Sequence, residues 1–169
     1  MYLVREPHAE SPRAPRSRGL VVGLGHEGHA DDGAGPVVAR LVASRLPEGW
    51  TAIEHRGDLS KLLDLCTGMG GVVIVDAVVT GAPVGTVHHL CPDERPERYI
   101  ATVGATRGIG LLEAIAIGRV LGRLPDRVTL VGLEARLTAL GAPMSLEVQA
   151  NLPMAAALVL EDARHAAWS

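Results

Sequence analysis

The 169-residue sequence has no phenylalanine and only two tryptophans and two tyrosines. With so few flat rings, a base-stacking platform for single-stranded nucleic acid is effectively excluded. Neither sign of charge dominates: 16 Lys+Arg against 19 Asp+Glu leave a formal net charge of −3. That balance indicates no basic face for nucleic acid or an anionic membrane. The two cysteines, Cys66 and Cys91, do not form a CxxC pair, so neither a disulfide framework nor a zinc ribbon is indicated. No apolar run approaches the ~20 residues needed to cross a bilayer. Abundance lies in aliphatic side chains, within a hydrophobic fraction of 47%, and a chain of this length buries a substantial core as one domain. These features predict a soluble, cytoplasmic protein with neither nucleic acid nor membrane as partner.

The first eighteen residues stand apart. Pro7, Pro12 and Pro15 alternate with Arg5, Arg13, Arg16 and Arg18, a composition that buries too little surface to offset its ordering entropy. Residues 1–18 are therefore expected to form a flexible tail and residues 19–169 a single domain. From Gly19 on, short apolar runs alternate with helical periodicity. Strands are expected over Leu20–Leu24, Thr51–His55, Val72–Asp76 and Arg127–Leu133, with another following the turn in Gly81–Leu90. Helices are expected around Pro36–Val42, over Leu59–Leu65 and Gly110–Gly122, and from an N-cap at Ser145. Pro153 is expected to kink or restart the last of these. Alternating strands and helices predict an α/β fold, a three-layer α/β/α sandwich around a mostly parallel, five-stranded sheet.

Ligands of open α/β sheets bind beyond the carboxyl ends of the strands. Two acids fall at that level: Asp32, in the loop after the first strand, and Asp76, which closes the third. Carboxylates gathered in one crevice repel each other unless a cation or proton is shared, so metal binding is the simplest reason to bring them together. Capping is an equally weighted reading, because Asp31 and Asp32 precede a helix and Asp76 precedes a turn. One of Asp31 and Asp32 is expected to do only that. His26 and His29 share the loop, and imidazole is a good ligand for nickel, zinc and copper. His88 and His89 are adjacent on a strand, so they point to opposite faces and cannot chelate together. Gly23, Gly25 and Gly28 match the dinucleotide-binding spacing, with Glu54 where a ribose-binding acid would lie. The helix is expected only after Asp32-Gly33, however, and two acids would face a pyrophosphate. No Ser–His–Asp or Cys–His set can be assembled, and Cys66 falls inside an apolar helix.

The ordered set of segments resembles the hydrogenase maturation endopeptidases, which trim the C-terminus of the nickel–iron hydrogenase large-subunit precursor. It comprises Val21-Val22-Gly23-Leu24-Gly25 with Asp31-Asp32-Gly33-Ala34-Gly35-Pro36, then Val73-Ile74-Val75-Asp76-Ala77 with Gly85-Thr86-Val87. Gly108-Ile109-Gly110-Leu111-Leu112-Glu113-Ala114, Leu124-Pro125, Val128–Glu134, Ser145 and Val148 complete it. The resemblance implies an α/β sandwich that acts as a peptidase and recognises nickel already inserted in the precursor, with no permanently bound metal required. It implies metal ligation by Asp32 and Asp76, which are also the candidate catalytic pair. The family's third ligand, a histidine, falls on Arg107, whose guanidinium has no lone pair to give. Three consequences are open. Arg107 pairs with Asp32 or Asp76 in place of the cation, or His26 or His29 supplies the imidazole, or Arg107 holds a carboxylate of the precursor. Metal-assisted hydrolysis is the expected mechanism, with an acid-assisted route through the carboxylate pair as the fallback. The competing functions are a non-catalytic accessory protein of the same fold and a nucleotide-binding α/β domain.

Overall fold

Gly19–Leu24, the apolar run GLVVGL, forms strand β1 and is buried along its whole length. The structure is a computed structural model and describes residues 18–91, 108–136 and 140–167. After β1 come a 3-10 turn, Ala30–Gly33, and helix α1, Ala34–Ala43. Strand β2 (Trp50–His55), helix α2 (Leu59–Cys66) and strand β3 (Gly71–Val78) follow. The chain continues through β4 (Val87–Leu90), α3 (Gly108–Val120), β5 (Val128–Glu134) and α4 (Leu146–Ala167). All but the last residue of the expected tail lie outside the described residues.

The strands form one five-stranded sheet in the order β2-β1-β3-β5-β4. Pairing is parallel except at the edge, where β4 runs antiparallel to β5 with Val87 opposite Leu133 and Leu90 opposite Leu130. Side chains alternate between the faces. Val73, Val75, Val131 and Leu133 pack with Val38, Val42, Val159 and Leu160 from α1 and α4. Val72, Ile74, Val128 and Leu130 pack on the other face with Leu62, Cys66, Leu111 and Ile115 from α2 and α3. A sheet covered on both faces explains why its central strands read as unbroken aliphatic runs rather than as an alternating pattern.

Helix α1 comes unusually close to the sheet. A Cβ built on Gly35 would overlap the carbonyl oxygens of Leu24 and Val75, and one on Gly23 would overlap the carbonyl of Gly35. Only glycine permits this backbone-to-backbone approach, and it seats the start of α1 against the carboxyl ends of β1 and β3. Three details depart from the sequence pattern. Strand β3 runs two residues past Asp76, to Val78, because Val78 still pairs with Glu134. The four-residue 3-10 turn has no periodicity to betray it. The last helix does not restart at Pro153 and is one element of 22 residues.

Candidate functional site

The sheet order places β1 between β2 and β3, and the loops leaving β1 and β3 diverge at the carboxyl edge, where such folds open a crevice. The loop after β1 is built around Gly25, at φ +128°, where any Cβ would overlap the carbonyl oxygen of Asp32. The chain thus folds back on itself between the two residues. The His26 amide donates to Asp32 Oδ2 at 3.0 Å, and the Asp32 amide donates to the His29 carbonyl at 3.1 Å. Ala30, at φ +50°, is the one non-glycine residue in the left-handed region among the described residues. Such backbone costs on the order of 1 kcal/mol and persists where surroundings over-determine it.

The adjacent acids have separate jobs, although each is only 1% exposed. Asp31 accepts the Arg136 amide at 2.9 Å, the Ser145 amide at 2.6 Å and the Ser145 hydroxyl at 2.7 Å. It therefore joins the loop to the exit of β5 and the entrance of α4. The Ser145 hydroxyl expected to cap α4 donates to this carboxylate. Asp32 lines the crevice instead, with Asp76, His26, Arg56, Gly25, Gly57, Leu24 and Leu111, around a volume of about 230 Å³. Asp76 lies on the same sheet face as Val72 and Ile74, one position beyond the Gly23–Val75 pair. Its Oδ1 accepts the Ala77 amide at 2.8 Å.

The structure thus brings Asp32, Asp76 and His26 to one crevice. His29 does not line it, but its ring stacks on that of His26, with centroids 4.7 Å apart. Arg107 lies outside the described residues. Two carboxylates and an imidazole are suitable donors for nickel or zinc. Among the described residues, however, no three of His, Cys, Asp and Glu come close enough to hold a metal ion by themselves. An ion here therefore needs ligands from elsewhere.

The remaining candidates resolve into pairs. His88 and His89 do face opposite ways: His88 Nε2 donates to Glu134 at 3.0 Å and His89 Nε2 to Asp162 at 2.9 Å. Burial pushes the Asp162 carboxyl up even though His89 opposes it. Glu54 is engaged by Arg40 at 2.9 Å and α1 starts only at Ala34, so the glycine spacing does not build a dinucleotide loop. Cys66 is fully buried, and burial pushes its thiol up to about 11. Because the thiolate is the reactive form, Cys66 is expected to stay unmodified by iodoacetamide at pH 8 in the folded protein and to react once denatured. Intact mass reads the difference.

Glu134 escaped the sequence reading. It is 2% exposed and accepts the Thr80 amide, the Thr80 hydroxyl, the Gly81 amide and His88. The available signal was the one that marked Asp76, an acid ending a buried aliphatic strand. A second cavity, of about 240 Å³, opens at the opposite end of the sheet among Trp50, Arg127 and His165. Its carboxylate, Asp162, is already held by His89, so the crevice with two acids is the better candidate site.

Comparison with known proteins places the chain in a family. A family model described as hydrogenase maturation protease matches residues 37–162, a span that includes Asp76 and begins just after Asp32. The hydrogenase expression/formation protein HupD of Rhizobium leguminosarum bv. viciae is 28% identical over 147 residues, 85% of this chain and 72% of its own. The hydrogenase maturation protease HybD of Thermococcus kodakarensis superposes with a TM-score of 0.72 at 28% identity, over 86% of this chain and 99% of that one. The hydrogenase maturating endopeptidase HybD of E. coli shares the fold, with a TM-score of 0.75 at 24% identity over 88% and 93%. With three-quarters of its length matched and the acid-lined crevice where this architecture puts its sites, the chain belongs to the hydrogenase maturation protease family.

Proposed function

We propose that the protein is an endopeptidase that removes the C-terminal extension of a nickel–iron hydrogenase large-subunit precursor after nickel insertion. The observation that carries this reading is the meeting of buried Asp32 with Asp76 in one crevice of a chain from this family. Two carboxylates facing one volume can share a cation. They are too few to hold it unaided, which suits an ion that arrives already ligated by the precursor. Nickel is in that case part of the substrate, and the His26 ring, stacked on that of His29, lines the same crevice as a further donor. Asp32 and Asp76 would hold a cation so placed, which would supply polarisation of the scissile carbonyl. Either carboxylate can accept a proton from the attacking water, and the C–N bond then breaks as the departing amine gains a proton. No helix among the described residues is long and apolar enough to cross a membrane, and the proposed place of action is the cytoplasm.

The test is the intact mass of the cognate large subunit in cells with and without this protein. The expected result is a subunit that stays long in its absence and is shortened when it is restored. A subunit trimmed in both cases would assign cleavage to another protein and leave this one as an accessory factor that binds the precursor without cutting it.

A further inference from the structure

Arg56 lines the same crevice as Asp32 and Asp76, in the loop that leaves β2. The sequence gives no reason to single it out, yet its backbone is held on both sides. The His55 carbonyl accepts the Gly25 amide at 3.1 Å, and His55 Nε2 donates to the Asp58 carbonyl at 2.8 Å. The acids beside it already have partners: Glu54 pairs with Arg40 at 2.9 Å, and Asp58 with Lys61 at 3.2 Å and with the Ser60 hydroxyl at 2.7 Å. Among the described residues no carboxylate or carbonyl engages the Arg56 guanidinium, nor does it lie within ion-pair distance of Asp32 or Asp76. It is therefore not there to neutralise them. The crevice has an acidic floor and a cationic rim whose planar fork of N–H donors matches a carboxylate.

We propose that Arg56 is a specificity-determining residue that binds a carboxylate of the peptide processed in this crevice, while Asp32 and Asp76 face the peptide's metal-bearing part. The inference rests on the peptidase reading above. The carboxylate is either an acidic side chain near the cleaved bond or the precursor's own C-terminus, since both present the same two oxygens.

The experiment compares the full-length wild type with Arg56→Gln and Arg56→Lys on nickel-loaded precursor. Two altered precursors separate the sources. In one, the acidic side chains near the cleaved bond are converted to amides; in the other, the terminal carboxylate is. Arg56 is exposed, so melting temperatures should stay equal. Arg56→Gln should raise KM about tenfold, as expected for losing one charge-assisted contact, with kcat within about twofold. Arg56→Lys should recover part of the loss. On the precursor that lacks the relevant carboxylate, wild type and Arg56→Gln should become equal, which identifies the source. An unchanged KM, or the same loss on every precursor, overturns the proposal. If the wild type cleaves nothing, the peptidase reading fails separately. Binding of the nickel-loaded precursor then decides for Arg56: a tenfold weaker affinity in Arg56→Gln upholds its role, and equal affinity ends it.

Discussion

Asp76→Asn and Asp32→Asn are each expected to slow the proposed processing of the large subunit by about a hundredfold or more, the scale of losing a positioned proton acceptor, while the protein still folds. Asparagine keeps the shape of aspartate and one carbonyl oxygen. In Asp32→Asn that oxygen can still take the His26 amide that Asp32 Oδ2 accepts at 3.0 Å. What disappears is the charge facing the crevice and with it the capacity to attract a cation or a proton. The neighbouring substitution Asp31→Asn has the opposite profile. Asp31 uses both oxygens, Oδ1 for the Ser145 amide and hydroxyl and Oδ2 for the Arg136 amide, and an amide side chain cannot satisfy both sets. It is expected to cost about 1–3 kcal/mol, the penalty for a buried donor left unpaired, with processing per folded molecule little changed. Time courses of precursor mass beside thermal melts separate the two profiles. Normal processing by both Asp32→Asn and Asp76→Asn would remove the carboxylate pair from the mechanism.

That contrast also marks how far the sequence was legible. The central strands announced themselves because both faces are buried, and unbroken runs such as Val72–Val75 have few other uses. Asp76 was visible as a charge closing such a run. Asp31 and Asp32, being adjacent, share one pattern, and only the partner of each distinguishes them. The partners of Asp31 are 105 and 114 positions away, beyond the reach of any local rule. Arg56 was hidden for the converse reason: an arginine in a polar loop is ordinary until the fold sets it at the rim of an acidic crevice. The last helix does not restart at Pro153, one of the two expectations for it, because proline's local cost is outweighed by tertiary packing on both sides of it. Ala155, Ala156, Val159 and Leu160 lie buried beyond it and Val148 before it.

Glu134→Leu is expected to destabilise the fold by about 3–5 kcal/mol, the range for removing one partner of a buried charged network, and to lower the melting temperature by about 10 °C. Leucine fills much of the volume but strands the donors that converge there: the Thr80 and Gly81 amides at 2.7 and 2.9 Å, the Thr80 hydroxyl at 2.8 Å and His88 at 3.0 Å. Glu134→Gln keeps an acceptor for the amides and should cost less, about 1–2 kcal/mol. The pH dependence distinguishes a charged role from a packing role. Burial alone would push the Glu134 carboxyl up, but the bonds from Thr80, Gly81 and His88 outweigh it and hold the carboxyl below its ordinary value. A carboxyl depressed in the folded state contributes stability above its unfolded pKa, near 4.3, and loses it as pH falls through the folded value. The wild type should therefore lose this contribution only on acidification below about pH 4, and the gap between it and Glu134→Leu should narrow there. Equal stability at pH 7 would show that the cluster holds nothing. A gap that stays constant into acid would assign the loss to packing rather than charge. If the expected result is obtained, the segment from Thr80 to Thr86, which follows Asp76 and returns the chain to the edge strand, owes its position to a carboxylate that takes no part in the crevice itself.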